Sequence, residues 1–236
     1  MDLMKRKNIQ VFVRYCHYSS ASAHKTRLPG FSREKCFQNL MATTDLSKVD
    51  FTFFLDTFHP TKHPHFILEQ ERFPVIQIKA GCEALSFLQM VDYVNEQPFS
   101  DDTIIYFLED DYLHRPGWVQ VLEEGLSLPK VSYVTLFDHR DKYFDPIYKD
   151  LKAQLFHTKS CHWRSTPSTT NTYAMRLKTL KKDLPIHRSY SIDRTISADH
   201  DKFCHLQKMG ALLVSSIPGF STHAEPDYAS PCIDWN

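Results

Sequence analysis

Short apolar runs alternate with amphipathic stretches along the first part of the chain. Each apolar run is brief and continuous, which is typical of a buried parallel strand. The intervening stretches carry apolar residues at helical spacing, and Ser32 is a suitable N-cap for one of them. The runs predict strands over 8–15, 49–55, 75–78, 104–108 and Val131–Phe137, and helices over 32–43, 83–95 and 118–126. This alternation predicts an α/β fold with a central, mostly parallel sheet flanked by helices.

The second part of the chain has a different character. Residues 162–171 form a polar stretch rich in Thr and Ser, and an apolar segment, Tyr173-Ala174-Met175, follows it. The pattern then predicts helices over 177–183 and 198–209 and a strand over 211–215. We therefore expect one domain over residues 1–236.

Composition narrows the function classes. The chain has 236 residues, 42% of them hydrophobic, which is enough for a substantial core. Lys plus Arg and Asp plus Glu each number 28, so no overall basic field would recruit nucleic acid. The six cysteines include no CxxC pair, and no apolar stretch reaches membrane-spanning length. We expect a soluble, cytoplasmic protein, with peripheral membrane association left open.

Three consecutive carboxylates follow the fourth apolar run. Glu109-Asp110-Asp111 comes directly after residues 104–108, at the edge where open α/β sheets bind ligands. Adjacent negative charges repel one another, and a cation held between them and an anionic ligand would relieve the repulsion. An acidic loop, or carboxylates that complement the start of the following helix, is the alternative.

Two later motifs offer matching chemistry. Asp199-His200-Asp201 opens a predicted helix, and His223 follows a Pro-Gly turn. Carboxylate oxygens suit Mg²⁺ or Mn²⁺, and an imidazole among the ligands favours Mn²⁺. Such a cation would stabilise the charge of a departing diphosphate, and a separate carboxylate would accept the proton of an attacking hydroxyl.

Together these motifs resemble those of GT-A fold glycosyltransferases. The triplet Glu109-Asp110-Asp111 is similar to their DxD-type motif, and the segment from Ala198 to Gly210 resembles the acidic helix of family 2 enzymes. Thr222-His223 is similar to the late histidine that completes the metal site in many of these enzymes. One departure is Ala198, which stands where the family usually has Glu, and it weakens the assignment of the neighbouring Asp199.

The resemblance implies a function and a role for each matching residue. It implies transfer of a hexosyl or deoxyhexosyl group from a nucleoside-diphosphate sugar to a glycan or glycoconjugate acceptor, with Mn²⁺ or Mg²⁺ as cofactor. Residues 8–137 would bind the donor, and residues 138–236 would bind the acceptor and carry the base. The implied roles are metal ligands for Asp111 and His223, general base for Asp199, ribose contacts for Glu109 and Asp110, and nucleobase contacts for Tyr15, His17 and Asp56. A base at Asp199 would give direct displacement with inversion, and a retaining mechanism is not excluded.

Several of these residues have plainer alternatives. Asp199 is also a suitable helix N-cap, Asp56 suits a turn, and a single late His such as His223 is often structural. Trp163 could stack on an acceptor sugar, with His162 and Arg164 as flanking polar donors, or it could cover the core. Arg164 could instead neutralise the diphosphate or form a surface ion pair.

Two other functions compete with glycosyl transfer. A metal-dependent nucleotidyltransferase or phosphohydrolase could use the same carboxylates, but such enzymes usually carry a Gly-rich basic loop after the first strand. Residues 16–29 contain no glycine, which argues against that class. A non-catalytic nucleotide-sugar or carbohydrate-binding module is the second alternative. The sequence leaves the donor, the acceptor and the oligomeric state open.

Overall fold

Nine strands form one sheet, and two short strands form a separate antiparallel ribbon, within the part of the chain that the structure describes. The structure is a computed structural model and describes residues 7–59 and 61–235. Residues 1–6, 60 and 236 of the predicted domain lie outside this part.

Strands and helices alternate through most of the described chain. The strands are β1 (Ile9–Cys16), β2 (Val49–Asp56), β3 (Val75–Ile78), β4 (Ile104–Glu109), β5 (Tyr112–His114), β6 (Val131–Thr135), β7 (Leu155–His157), β8 (His162–Ser165), β9 (Tyr173–Arg176), β10 (Leu212–Ile217) and β11 (Ser221–His223). The helices are α1 (Arg33–Thr43), α2 (Glu83–Glu96), α3 (Trp118–Ser127), α4 (Asp141–Phe144), α5 (Leu177–Ser189) and α6 (Asp199–Lys208).

The sheet is mostly parallel. Its strand order is β3-β2-β1-β4-β9-β6-β10-β8-β7. The first four strands in this order are parallel neighbours, as are β6 and β10. Strand β9 lies between β4 and β6 and is antiparallel to both, and β8 is antiparallel to β10 and β7. The predicted α/β fold with a mostly parallel sheet is therefore confirmed.

Helices cover both faces of the sheet because alternate strand residues point to opposite sides. Val11 and Val13 of β1 pack in a cluster with Leu40 of α1 and with α3, while Phe12 packs in a second cluster with Phe87 of α2 and with α5 and α6. In the described residues no helix is both long enough and apolar enough to cross a membrane.

Every predicted helix and strand is present, with differences at some element ends and among the short elements. Strand β6 ends at Thr135 rather than Phe137, and helix α5 continues to Ser189. The β5–β11 ribbon and the β7–β8 pair are absent from the prediction. These strands have three or four residues each and owe their conformation to distant partners, so no local periodicity marks them.

Candidate functional site

A cavity of about 680 Å³ opens at the carboxyl ends of the parallel strands β1, β2 and β4. This edge is where α/β sheets bind ligands, because the loops that leave the strands surround it. The predicted site residues that line the cavity are Tyr15, Asp56, Glu109, Asp110, Asp111, Asp199 and His223. The fold thus brings together residues from five separate segments of the chain.

The β5–β11 ribbon carries His223 to the acidic triplet. Tyr112 of β5 pairs with His223 of β11, and the backbone N–H of Ala224 donates to the carbonyl oxygen of Asp111 at 2.9 Å. This register places His223 Nε2 2.9 Å from Asp111 Oδ2. The two predicted metal ligands therefore lie in contact.

The Asp111–His223 contact is an ion pair with further charged neighbours. Arg27 Nη1 lies 2.8 Å from the same Asp111 Oδ2, and Glu225 Oε2 lies 3.2 Å from His223 Nδ1. Burial would raise the pKa of Asp111, but His223 and Arg27 outweigh it and lower the pKa. Burial also disfavours the charged form of His223 and so lowers its pKa, yet the Asp111 and Glu225 carboxylates raise the pKa to about 9. His223 is thus an imidazolium at neutral pH in this arrangement.

The other two carboxylates of the triplet resist ionisation. Burial raises the pKa of Glu109 to about 7, although Arg14 lies 3.1 Å away and lowers it. Burial also raises the pKa of Asp110 to about 6 against the opposing effect of Arg33. Arg33 Nε lies 2.9 Å from Asp110 Oδ2, so the two buried atoms form an ion pair, and neither has a hydrogen-bond partner of good geometry.

Asp199 is the first residue of helix α6 rather than its N-cap. Ala198 holds the cap position, and no side chain caps this end of the helix. Asp199 Oδ1 instead accepts a hydrogen bond of 3.0 Å from Lys202 Nζ. Burial raises the pKa of Asp199 to about 6, although Lys202 lowers it. A carboxyl group with this pKa is ionised at neutral pH and remains able to accept a proton.

The predicted nucleobase residues occupy different positions. Asp56 lines the cavity and accepts backbone N–H bonds from Phe58, Ala80 and Gly81 at 3.0, 3.1 and 2.8 Å, so it fixes the turn after β3 as well. Tyr15 is buried at the cavity wall. His17 lies outside this cavity, lines a smaller neighbouring pocket and has Nδ1 3.2 Å from Thr61 Oγ1.

The site suits a divalent cation in part. Asp111 offers an oxygen ligand, and His223 offers a nitrogen ligand beside it once its Nε2 proton leaves, as metal binding requires. Glu225 holds the far nitrogen of the imidazole, as partners of metal-bound histidines do. Asp110 Oδ2 is buried without a hydrogen bond. Among residues 7–59 and 61–235, no three His, Cys, Asp or Glu side chains form a ready metal-binding group. The protein would therefore supply two ligands, as is common for Mg²⁺ held with substrate phosphates.

The predicted acceptor segment lies away from the cavity. Trp163 is fully buried and packs against Gly125 of α3, so the prediction that its ring stacks on a sugar is wrong and its core role is the observed one. Arg164 forms a buried ion pair with Asp138 at 2.7 Å, and His162 is exposed on β8. None of the three lines the cavity.

Several charged residues of the site escaped the sequence analysis. Arg14 contacts both Glu83 and Glu109 from within β1, and its charge in an otherwise apolar run is the one local signal that could have revealed it. Arg27 comes from the segment between β1 and α1, and Arg33 is the first residue of α1. Their ion pairs with the triplet span long sequence separations, which no local pattern encodes.

Comparison with known proteins supports the fold. No family model matches the chain, and no curated protein does. Among solved structures, S. aureus TarS 1-349 matches at a TM-score of 0.51 and 12% identity over 89% of this chain and 58% of that TarS chain. The galactosyltransferase LgtC with donor and acceptor sugar analogues matches at 0.46, and an active-site mutant of LgtC at 0.47, each at 9% identity over 83% of this chain and 68% of LgtC.

The likeness to TarS 1-349 bears on the fold and on nothing finer. At 12% identity, the match to TarS shows a shared fold, and the predicted GT-A-like architecture is confirmed at that level. The chain spans little more than half the length of the TarS 1-349 chain. The family 2 assignment, the metal and every residue role stay predictions.

Proposed function

We propose that the protein is a metal-dependent glycosyltransferase that moves a sugar from a nucleoside-diphosphate sugar to an acceptor hydroxyl. One observation carries the proposal: a single cavity holds the Asp111–His223 pair and, separately, the ionisable carboxylate of Asp199. This is the set that sugar transfer from a diphosphate donor needs, namely a place for a cation and a base apart from it. The GT-A-like fold supports the proposal.

The donor half of the cavity would hold the nucleoside diphosphate. Asp111 and His223 would bind Mn²⁺ or Mg²⁺, which supplies charge neutralisation to the departing diphosphate. Glu109 and Asp110 would support this arrangement and contact the ribose, and Tyr15 and Asp56, which line the same cavity, would contact the nucleobase. His17, outside the cavity, is the weakest member of the predicted donor set.

Asp199 would act as the general base of a direct displacement. Its carboxylate takes the proton of the acceptor hydroxyl as that oxygen forms a bond to the anomeric carbon. The bond from the anomeric carbon to the diphosphate oxygen breaks, and the electron pair leaves with the nucleoside diphosphate. Attack opposite the leaving group inverts the anomeric configuration. Because the pKa of Asp199 is raised to about 6, we expect the rate to rise with pH through that value and then level off.

The acceptor would approach along a run of aromatic rings rather than along residues 162–164. Phe137, His139 and Tyr228 line the cavity, and the side chain of Phe144 beyond them is 57% exposed. Successive ring centroids along this run are 4.7, 5.4 and 6.3 Å apart, and the rings of Phe144 and Tyr228 are stacked. Exposed aromatic faces that continue into a polar cavity suit a sugar, which has apolar C–H faces and polar edges.

Calorimetric binding of UDP, GDP, TDP, CDP and ADP, first with Mn²⁺ and then with EDTA, tests the donor site. We expect one diphosphate to bind in a metal-dependent way and Asp111→Ala to abolish that binding. Asp101→Ala, which removes an exposed carboxylate paired with Lys181, is the matched control and should bind as the parent does. Absence of metal-dependent binding to every diphosphate would overturn the proposal.

Product analysis then tests the reaction. We expect release of a nucleoside diphosphate rather than pyrophosphate, and a product of inverted configuration. Asp199→Asn should bind the donor normally while lowering transfer by about 10²- to 10⁴-fold, the usual contribution of a general base. An Asp199→Asn protein that transfers as well as the parent would remove the base from the mechanism.

A further inference from the structure

Helix α6 carries a lysine whose ammonium group is buried beside Asp199. Lys202 has no exposed surface. Its Nζ donates to Asn171 Oδ1 at 2.6 Å and to Asp199 Oδ1 at 3.0 Å. The remaining space around Nζ is filled by aromatic rings, with centroids at 4.7 Å for Phe87, 5.1 Å for Tyr173 and 5.3 Å for Phe203.

A charge at this position is not explained by stability. Taking an ammonium group out of water is costly, and a buried ion pair is often no more stable than well-packed apolar side chains of the same volume. The neighbours Phe203 and Leu206 on the same helix are buried apolar residues. An unbranched side chain such as Met would fill the site of Lys202 without the desolvation cost. The role of the ammonium group therefore lies in the residues that it binds, Asn171 and Asp199.

Asn171 fixes the ammonium group in place from the other side. Asn171 lies just before β9, which begins at Tyr173, and it is fully buried. Its Nδ2 donates to Glu83 Oε1 at 2.9 Å, and the other oxygen of Glu83 accepts the backbone N–H of Ser197 at 2.8 Å. Arg14 Nη2 lies 2.8 Å from Glu83 Oε1. The resulting chain of contacts ties the start of α6 to α2, to β1 and to the approach to β9.

The charges around Asp199 are of both signs. Lys202 is the positive group in direct contact with it, and Arg14 is a more distant one. Glu83 from α2 and Glu109 from β4 add negative charge near Asp199. The hydroxyl group of Tyr173 from β9 lies close enough to Asp199 for that carboxylate to affect its pKa. Lys202 therefore opposes both the burial and the like charges that disfavour an ionised Asp199.

We propose that Lys202 is a positioning residue for Asp199: its ammonium group binds Oδ1, fixes the side chain in one orientation, and keeps the carboxylate ionised with Oδ2 left to the cavity. The inference rests on the proposed function, in which Asp199 is the base. It deepens that function by assigning the orientation and charge of the base to a side chain that does not itself line the cavity.

The test is an NMR titration of the aspartate carboxyl carbons in the parent protein and in Lys202→Met. Asp199→Asn identifies the Asp199 signal by its loss. We expect the Asp199 midpoint to rise by about 1 to 3 pH units in Lys202→Met, the usual effect of removing an opposite charge at contact distance. Lys208→Met, on the exposed last turn of the same helix, should leave the midpoint unchanged. An unchanged midpoint in Lys202→Met would overturn the proposal.

A second measurement needs no variant and covers the case in which Lys202→Met does not fold, as judged by circular dichroism. In the parent protein, the Cε signal of Lys202 should shift at the same pH as the Asp199 carboxyl signal, because the two groups are in contact. A Lys202 signal that passes through that pH unchanged would refute the contact.

Activity separates this proposal from the broader one. In a transferase, Lys202→Met should lower kcat and move the rising limb of its pH profile to higher pH, with donor affinity unchanged. If no nucleotide sugar is turned over, the titration still decides the role of Lys202. If transfer occurs but neither the Asp199 midpoint nor the pH profile of kcat changes in Lys202→Met, the role proposed for Lys202 is wrong. The proposed transferase activity is then retained.

Discussion

Replacing His223 by Gln should remove a pH-dependent part of the stability of the metal-free protein. The imidazolium is held by Asp111 and Glu225, and only 11% of the side chain is exposed, so solvent weakens this interaction little. These carboxylates raise the pKa of His223 from 6.5 to about 9, a difference of about 2.5 units. At about 1.4 kcal/mol for each unit, the folded protein gains about 3 to 4 kcal/mol from this proton.

The raised pKa of His223 determines whether the free energy of unfolding rises or falls with pH. A group that binds its proton more tightly in the folded state stabilises the fold fully below its unfolded pKa, and the gain is lost as pH rises through the folded pKa. The contribution of His223 is therefore present below pH 6.5 and lost by about pH 9. The same ion pair lowers the pKa of Asp111, so its energy is counted only once.

Urea unfolding in EDTA, at a series of pH values across this window, measures the effect. The free energy of unfolding of the parent should fall by about 3 to 4 kcal/mol more than that of His223→Gln as pH rises. His157→Gln replaces an exposed imidazole of β7 and should follow the parent. Parallel curves for the parent and His223→Gln would refute the geometry on which the proposed metal pair depends.

Three further substitutions test other parts of the structure. Arg27→Gln should strengthen binding of Mn²⁺ alone by about tenfold or more in calorimetry, because it removes a cation from Asp111 Oδ2; equal or weaker binding would contradict this. Gly125→Ala should destabilise the protein by about 1 to 3 kcal/mol in urea unfolding, since an added Cβ would lie 2.5 Å from the Trp163 ring; unchanged or greater stability would show that the ring can move. Phe144→Ala should raise the KM for acceptor about fivefold and leave donor affinity unchanged, the loss of about 1 kcal/mol of ring stacking; an unchanged acceptor KM would place the acceptor elsewhere.

Local sequence patterns predicted the parts of the fold that depend on local periodicity. The apolar run before Glu109 is a buried strand, and the helix that ends at Thr43 begins after Ser32, whose hydroxyl caps it. The triplet lies at the carboxyl edge of the sheet because the strand before it is parallel to β1. Such features follow from side chains within a few residues of one another, which is why the sequence alone reveals them.

The rest of the site depends on contacts between distant segments. Trp163 sits among polar residues in sequence, yet its ring lies in the core because β8 joins the sheet beside β10. Lys202 is a lysine directly after the polar run Asp199-His200-Asp201, a pattern typical of a helix surface, yet the approach to β9 covers it. In both cases elements far away along the chain determine the environment of the side chain. Composition and residue spacing therefore do not predict that environment.

The β5–β11 ribbon has a consequence for the order of folding. It joins Asp111 to His223 across 112 residues, whereas the parallel strands β1, β2 and β4 come from the first 109. Pairings over such long separations close late, because chain entropy must be lost before they contribute contacts. The ribbon is then largely unformed at the rate-limiting barrier, so weakening it should speed unfolding and leave the folding rate nearly unchanged. The acidic triplet would accordingly remain hydrated for most of the folding reaction and meet its cationic partner in the final steps.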